Sequence, residues 1–320
     1  MRTGKTRARI NPQLRRRYIW AYIFILPQLL YFLLASLYPI VMSYVYSFYE
    51  WDGLGPLVDY VGFSNYAELL RDDMFWNSFY NALIYGLAAT ALTIVASFLL
   101  ALVLNDPTMK GKSLYRTLYF LPVVTVSSII GIIMNHIFGI QGFTNQFLQS
   151  LGWIDEPIRF WLDPVLAMIM LILVGSWKHI GVVMIYWLAG LQMIPTDLYE
   201  AAKMDGAGYW KMLMKITLPL LKPVAATILL LTVGSSLHVF DLVKTLTDGG
   251  PYHRTETIEL FIYQYAFATQ FGGARVGYAS AAGVYLGLFV LAISLFLGWL
   301  GLKAGGVGKK GKLAGRGGEL

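Results

Sequence analysis

The sequence predicts an all-α integral membrane protein with six transmembrane helices and both termini in the cytoplasm. Composition is the first observation: 57% of the 320 residues are hydrophobic and 13% are charged, whereas soluble domains average about 45–50% and about 25%. The second is a series of long uncharged stretches. The third is the collection of lysines and arginines in alternate segments between those stretches. A soluble protein this apolar could not cover its surface with polar groups.

Six apolar stretches are long enough to cross a bilayer, because a helix needs about 20 residues to span a hydrocarbon core of about 30 Å. They predict transmembrane helices at 18–47, 79–104, 117–139, 165–190, 223–246 and 277–302. The first stretch exceeds the apolar core of a secretory signal, which has about 7–15 residues, so we expect a retained helix. The remaining division is a basic tail at 1–17, an external loop at 48–78, a five-helix core at 79–302 that includes a cytoplasmic loop at 191–222, and a flexible tail at 303–320.

Charge placement predicts the orientation of the chain. If the N-terminus is cytoplasmic, the segments on that side hold 19 of the 25 lysines and arginines but 5 of the 18 acids. Basic residues near helix ends are retained in the cytoplasm, so we expect both termini there. This topology accounts for the net charge of +7, and no nucleic-acid partner is needed to explain it.

The sequence predicts neither a catalytic site nor a metal site. It contains no cysteine, which excludes disulfides and thiolate ligands, and its four histidines lack metal-ligand spacing. Two glycine–lysine pairs, Gly4-Lys5 and Gly111-Lys112, lack the upstream glycine of a phosphate-binding loop. We therefore expect no ATP hydrolysis by this chain, and a membrane-bound enzyme is the weakest of the functions considered.

The loop at 191–222 carries the most informative motif. It contains Glu200-Ala201-Ala202, then Gly206 after three residues, and later Ile216-Thr217-Leu218-Pro219. Thr196 is expected to cap a first short helix. Gly206 can adopt the positive φ of a turn into a second helix at about 209–215.

Aromatic residues begin that second helix, where Tyr209 and Trp210 are expected to be exposed. Pro219 and Pro223 are expected to break the chain before the fifth span. A simpler alternative for this loop is an amphipathic helix that lies on the membrane with its aromatic residues in the interface.

The spacing of the motif resembles the EAA loop of ABC-importer permeases, through which an ATPase subunit drives the membrane domain. From about 18 to 302 the chain is similar to carbohydrate-uptake permeases of the maltose-permease type. The stretches that carry this similarity are Tyr49-Glu50-Trp51-Asp52-Gly53, Val61-Gly62-Phe63-Ser64-Asn65-Tyr66, Tyr119-Phe120-Leu121-Pro122, Leu188-Ala189-Gly190-Leu191-Gln192-Met193-Ile194-Pro195, Phe240-Asp241-Leu242, Thr247-Asp248-Gly249-Gly250-Pro251 and Gly277-Tyr278-Ala279-Ser280-Ala281. The external segment at about 140–164 is short, so the large insertion of the maltose permease subunit is missing.

The resemblance implies a type I ABC-importer permease of the MetI-like fold, which takes up mono- or oligosaccharides by alternating access in a prokaryotic cell membrane. It implies a second permease that completes a heterodimer, two ATP-binding subunits that hold ATP and Mg, an extracellular solute-binding protein, lipid and a sugar substrate. The chain itself would bind no cofactor. The residues that couple to the ATPase would be Glu200, Ala201, Ala202, Asp205, Gly206, Tyr209 and Trp210.

Ionisable residues within the spans are the best guide to a substrate pathway. Lys178 lies near the middle of the fourth predicted span, where a charge costs about 2.5–3.5 kcal/mol, so we expect it to face protein or water. Lys178 and Asp241 could instead pair with each other, and the serines could bond to their own helix backbone. By similarity to the maltose permease, the pathway would be lined by Gly175, Lys178, His179, Val182, Thr232, Ser235, Ser236, Val239 and Asp241.

Two other transport functions remain open at this point. The same architecture could import glycerol phosphate or another polar solute, because Lys178 and His179 could favour an anionic group. An ion-coupled secondary carrier would require inverted repeats and buried acids, for which Asp241 is the candidate in the sequence.

Overall fold

The computed structural model describes residues 12–267 and 273–304, and the chain is built from helices over these residues. The α-helices are α1 Pro12–Phe32, α2 Tyr38–Tyr46, α3 Ser64–Leu69, α4 Asp73–Asn105, α5 Lys112–Val124, α6 Ser127–Phe138, α7 Phe143–Ser150, α8 Pro164–Gln192, α9 Thr196–Met204, α10 Tyr209–Met212, α11 Leu218–Ser236, α12 Phe240–Leu246, α13 Ile258–Phe267 and α14 Val276–Ala304. Most of the two predicted tails, at 1–17 and 303–320, lies outside the described residues.

Within the described residues, five helical stretches are long and apolar enough to cross a membrane. They are Arg16–Tyr46, Asp73–Asn105, Pro164–Gln192, Tyr209–Ser236 and Val276–Lys303. A bent pair, Lys112–Val124 with Ser127–Ser150, makes a sixth if its two arms count as one span. The six predicted spans therefore correspond to five continuous helices and one broken one.

The third predicted span, at 117–139, is wrong as a single helix, because its two arms meet at an angle of 101°. Pro122 lies near the end of α5, and Thr125 and Val126 beyond it are extended, with ψ of 136° and 132°. Proline removes a helix hydrogen bond, and β-branched residues favour extended backbone. The chain therefore turns within a run whose composition is that of a transmembrane helix.

The fifth predicted span, at 223–246, is displaced toward the N-terminus. One helical stretch runs over Tyr209–Ser236, so the expectation that Pro219 and Pro223 break the chain is wrong. A π turn at Leu213–Thr217 precedes α11, and Pro219 follows it in the first turn of α11. Proline cannot donate a helix hydrogen bond, and here it follows a π turn, where the regular α-helical bonding is already interrupted. The second loop helix and the fifth span are therefore one continuous element.

The end of the predicted fifth span is also a separate element. Residues 237–239 interrupt the helix, and Asp241 and Lys244 lie on the short helix α12 beyond the break. Asn135 on α6 donates to the backbone carbonyl of Thr245 at 2.9 Å, which holds α12 against α6. Both ionisable residues are thus removed from the span to which the sequence assigned them.

Helices α4 and α8 pack along each other at the centre of the bundle, and α11 packs against both. Glycines of α8 permit close packing against two neighbours: a methyl group at Gly175 would collide with the hydroxyl of Tyr85 on α4, and one at Gly181 with the carbonyl of Tyr119 on α5. Within a membrane, small residues at helix crossings let backbones approach and gain van der Waals contact. The first helical stretch, Arg16–Tyr46, differs, since none of its most apolar window is buried within the described residues.

Candidate functional site

Helices α9 and α10 form a surface at one end of the bundle. The expectation that Thr196 caps α9 is wrong: the capping position is occupied by Pro195, and Thr196 is the first residue of the helix. Asp197 lies in the first turn, where the positive end of the helix dipole stabilises a negative charge. The start of α9 is therefore supported by charge and by the rigid proline, without a side-chain hydrogen bond.

Gly206 turns the chain between α9 and α10 with φ of +72°, as its position in the motif predicts. The N–H of Gly206 bonds to the carbonyl of Lys203 at 3.0 Å, and the N–H of Ala207 bonds to that of Ala202 at 2.9 Å. This pair of bonds is the Schellman arrangement, in which a left-handed residue satisfies the last carbonyls of a helix. Glycine is favoured there because it adopts positive φ without a steric penalty.

The side chains on this surface point away from the bundle. Tyr209 and Trp210 are exposed as predicted, Trp210 by 70%, and Met204 is exposed by 89%. The predicted coupling residues Glu200, Ala201 and Asp205 are also exposed, whereas Ala202 is half-buried. The surface also exposes Lys203 and Lys211, so it is apolar with charges of both signs, and it lacks a cover within the described residues.

One contact ties the surface to the transmembrane helix. The hydroxyl of Tyr199 lies 2.9 Å from the hydroxyl of Thr217, which is the last residue of the π turn that precedes α11. Thr217 is buried, at 4% exposure. This contact links α9 to the residue directly before α11. The sequence analysis did not select Tyr199, although its position directly before Glu200 could have suggested an inward-facing partner.

A cavity of about 270 Å³ lies where α11 ends and α12 begins. It is lined by Tyr85, Ser127, Lys178, His179, His238, Val239, Phe240, Asp241, Leu242 and Glu259. Four residues of the predicted substrate pathway are thus brought together: Lys178, His179, Val239 and Asp241. Lys178 is half-buried midway along α8, and Asp241 is exposed. Within the described part of the chain these two residues form no ion pair, so their charges remain available to a bound molecule.

The other predicted pathway residues lie outside the cavity lining. Gly175 packs against Tyr85, and its carbonyl lies 2.8 Å from Nδ1 of His179. Val182 packs in an apolar cluster further along α8. On α11, Ser236 is half-buried, Ser235 donates to the carbonyl of Thr232 in its own helix at 3.0 Å, and Thr232 is buried with its hydroxyl unpartnered.

Glu259 is the residue of this region that sequence reasoning missed. One carboxylate oxygen accepts hydrogen bonds from the N–H groups of Val239 and Phe240, at 2.9 and 2.8 Å. The other oxygen lies 2.7 Å from Nδ1 of His238. This hydrogen bond raises the pKa of His238, which lies beyond the last residue of the fifth span. In the sequence Glu259 looks like an ordinary acid in the first turn of a helix, with nothing to signal a partner about twenty residues earlier.

A second buried network fixes the segment between α12 and α13. Glu256 is fully buried; it accepts a hydrogen bond from Ser78 at 3.0 Å and pairs with His253. Asn81 donates to the carbonyls of His253 and Glu256 at 2.9 and 3.0 Å. The wall of the cavity formed by α12 and α13 is therefore anchored to α4.

The chemistry of the cavity suits a polar solute of modest size. It combines cationic, anionic, imidazole and hydroxyl groups with the apolar side chains of Val239, Phe240 and Leu242. Binding sites for small molecules combine an apolar lining with a few polar groups that orient the ligand. Within the described residues no group of three or more histidine and acidic side chains could hold a metal ion.

Comparison with known proteins supplies the family. A model of the family described as binding-protein-dependent transport system inner membrane component matches residues 94–304. The lactose transport system permease protein LacF of Rhizobium radiobacter is 34% identical over 257 residues, which are 79% of this chain and 86% of LacF. The sn-glycerol-3-phosphate transport system permease protein UgpA of Yersinia enterocolitica is 31% identical over 276 residues, 86% of this chain and 91% of UgpA.

A solved structure has the same fold. It is the crystal structure of a bacterial ABC transporter involved in the import of the acidic polysaccharide alginate, one chain of which is 26% identical with a TM-score of 0.78. The similarity covers 90% of this chain and 96% of that one. It confirms the all-α MetI-like permease fold that the sequence predicts. The chain is a multi-pass membrane protein, and it belongs to the family of inner membrane components of binding-protein-dependent transport systems.

Proposed function

We propose that the chain is the permease subunit of an ATP-driven, binding-protein-dependent importer of mono- or oligosaccharides. One observation carries this proposal: a single helical stretch, Tyr209–Ser236, joins the exposed α9–α10 surface to the polar cavity. Its 28 residues correspond to about 42 Å at 1.5 Å per residue. A push on α9 would travel through the contact between Tyr199 and Thr217 into this helix. The cavity would thereby open alternately to the two sides of the membrane.

The exposed surface supports an ATP-binding subunit as the partner that pushes. Glu200 would pair with a basic group of that subunit, while Tyr209 and Trp210 would fill an apolar cleft and Gly206 would act as the pivot. ATP and Mg would be held by two such subunits, since no motif of this chain binds nucleotide. A second permease would complete a heterodimer, and an extracellular solute-binding protein would deliver the substrate.

The distribution of basic residues supports an orientation with both termini in the cytoplasm. In this orientation α9 and α10 lie on the cytoplasmic side, where an ATPase can reach them. The segment from α12 to α13 then lies toward the outside, where a binding protein would release its sugar. The membrane would be the cell membrane of a prokaryote.

A sugar is the substrate class that the comparisons and the cavity favour together. Lactose and alginate are the solutes named for two of the similar transport systems. The cavity has donors and acceptors from α4, α6, α8, α12 and α13, which suits the hydroxyl groups of a carbohydrate ring. An apolar wall at Val239 and Phe240 would contact the less polar face of that ring.

The substrate can be identified by thermal-shift screening of the solute-binding protein that works with this permease, followed by uptake of the sugar that stabilises it. In that uptake assay, Lys178→Met should lower the rate by about tenfold or more, because a hydrogen bond to a charged group contributes about 1.5–3 kcal/mol. Lys244→Met is the matched control, since Lys244 pairs with Asp248 at 2.7 Å and does not line the cavity. Equal uptake by both variants would contradict the assignment of the cavity.

Glycerol phosphate is a second candidate, favoured by the similarity to UgpA and by the free charge of Lys178. Stabilisation of the binding protein by sn-glycerol 3-phosphate and by no sugar in the screen would select it. A different outcome of the uptake assay would indicate an ion-coupled carrier instead of an ATP-driven importer. Uptake would then survive ATP depletion and collapse with the ion gradient.

A further inference from the structure

The break between α11 and α12 exposes backbone groups that need partners. The first N–H groups of a helix have no intrahelical acceptor, and buried N–H groups without a partner cost free energy. At this break Glu259 supplies the acceptor from α13: one oxygen receives the N–H groups of Val239 and Phe240. The side chain of Glu259 is 19% exposed, so solvent reaches it only in part. The position of α12 thus depends on a carboxylate that is distant in sequence.

The second oxygen of Glu259 determines which nitrogen of His238 carries a proton. An ionised carboxylate can only accept hydrogen bonds, so Nδ1 at 2.7 Å must be the donor. Within the described residues Nε2 makes no hydrogen bond. The side chain of His238 is 63% exposed and lines the cavity. The free nitrogen is therefore available to a molecule that enters.

We propose that Glu259 is a positioning residue of the cavity, which holds His238 with its Nε2 free to bind a substrate hydroxyl. This inference rests on the proposed function, because it treats the cavity as the place where the solute binds. It adds a role for two residues, His238 as a binding group and Glu259 as the group that orients it. The same carboxylate also accepts the N–H groups of Val239 and Phe240, so Glu259 both orients His238 and holds the start of α12 in the cavity wall.

The charge on His238 decides what Nε2 can do. With Nδ1 protonated, the neutral ring accepts a hydrogen bond at Nε2 and the imidazolium donates one. Glu259 favours the imidazolium and so extends the donor state to higher pH. A sugar hydroxyl can serve either state, whereas a carboxylate or phosphate needs the donor. The charged or titratable groups that share the cavity with His238 are Tyr85, Lys178, His179, Asp241 and Glu259.

The proposal can be tested without knowledge of the sugar by acylation with diethyl pyrocarbonate, which reacts with neutral imidazole. The purified full-length protein is treated at a series of pH values, and modified His238 is quantified by mass spectrometry. In the wild type the midpoint of reactivity should lie above 6.5, the ordinary value for histidine. In Glu259→Gln the midpoint should fall, because the neutral amide no longer stabilises the imidazolium. His253, which pairs with Glu256, is the internal control and should not shift.

Two results would overturn the proposal: a His238 midpoint unchanged by Glu259→Gln, or a wild-type His238 that resists acylation at every pH. If Glu259→Gln does not fold, His238→Gln provides the second test. It keeps the hydrogen bonds that Glu259 accepts from the N–H groups of Val239 and Phe240. That variant should melt closer to the wild type than Glu259→Ala does, because only Glu259→Ala removes the acceptor of the N–H groups of Val239 and Phe240. Equal melting of these two variants would show that Glu259 does not hold the break. Normal uptake by Lys178→Met together with the expected His238 shift would remove the cavity as the solute site, and it would leave Glu259 as the residue that orients His238.

Discussion

The two ends of the helical stretch Tyr209–Ser236 are built on opposite principles. At the α9–α10 end, large side chains such as Met204 and Trp210 are exposed, while Tyr199 contacts the bundle through the hydroxyl of Thr217 and through an apolar cluster. At the α12–α13 end, the buried carboxylate of Glu256 and the half-buried carboxylate of Glu259 hold the chain through several hydrogen bonds. The first surface is uncovered within the described residues, whereas groups of this chain hold the second site in place.

This difference has a physical cause. A charged or aromatic group that meets a partner protein must be desolvated by that partner, so it stays exposed until the complex forms. A break in a helix within a bundle has no such partner and must satisfy its backbone groups from the same chain. Mutations at the first end should therefore affect transport more than stability, and mutations at the second end should affect both.

The largest expected effect is on transport, from Glu200→Ala at the α9–α10 end. Loss of one partner of an interface charge pair costs about 2–5 kcal/mol, so uptake should fall by about 30-fold or more while the amount of protein in the membrane stays the same. Uptake assays with quantitative immunoblots measure both quantities. Glu156→Ala, at an exposed acid far from this surface, is the control. Normal uptake by Glu200→Ala would remove the basis for the coupling surface.

A large effect on stability is expected from Gly277→Ala at the start of α14. An added methyl group would collide with the backbone carbonyl of Tyr49, and such overpacking costs about 1–3 kcal/mol. Gly283→Ala on the same helix is the matched control, because nothing lies within 4 Å of its added atom. The melting temperature of the purified protein should fall for the first variant alone. Equal melting of the two variants would refute the close crossing of these segments.

Gly206→Ala should have a smaller and more local effect. The residue has φ of +72° with open space around it, so the penalty is backbone strain of about 1–2 kcal/mol. We expect uptake to fall several-fold while the melting temperature of the bundle is unchanged. Gly208→Ala, with φ of −72° and equally open space, serves for comparison. A melting temperature lowered as much as by Gly277→Ala would mean that the α9–α10 end is part of the rigid core.

The smallest effect is expected from the ion pair between Glu68 and Arg275, which ties the segment before α4 to the start of α14 at 2.6 Å. The hydrogen bond from Arg275 lowers the pKa of Glu68, so its stabilisation is present above the ordinary value of 4.5 and is lost as pH falls further. Exposed pairs contribute about 0.2–1 kcal/mol. Glu68→Gln should lower the melting temperature slightly at neutral pH, and this difference should shrink as the pH falls below 4.5. A difference that persists in acid would assign the effect to packing.

Much of the fold could be predicted from local patterns. The lengths of the apolar stretches alone locate four of the spans close to their observed positions. A helix must have about 20 apolar residues to cross the bilayer, and such stretches are easily recognised. The α9–α10 turn was also predictable from local sequence. The turn needs one residue with positive φ, and Gly206 supplies it. The bend at Thr125 and the shift of the fifth span were missed because apolar composition does not distinguish a straight helix from a broken one.

The cavity could be predicted only in part. Lys178 was expected to face protein or water because its charge is unfavourable in lipid. Asp241 was predicted to line the substrate pathway, and its charge within a predicted span drew attention to it. The positions of Val182, Thr232 and Ser235 depend on which face of each helix meets a neighbour, and periodicity within an apolar helix carries little of that information.

Sequence by itself determined the membrane class, the length of four of the spans and the exposed turn at Gly206, because each follows from the solubility or backbone preference of neighbouring residues. Tertiary structure alone decided that Glu259 would meet His238 and that Lys178 and Asp241 would share a cavity without pairing. These relations join residues on different helices, and the distance between them is determined by how whole helices pack.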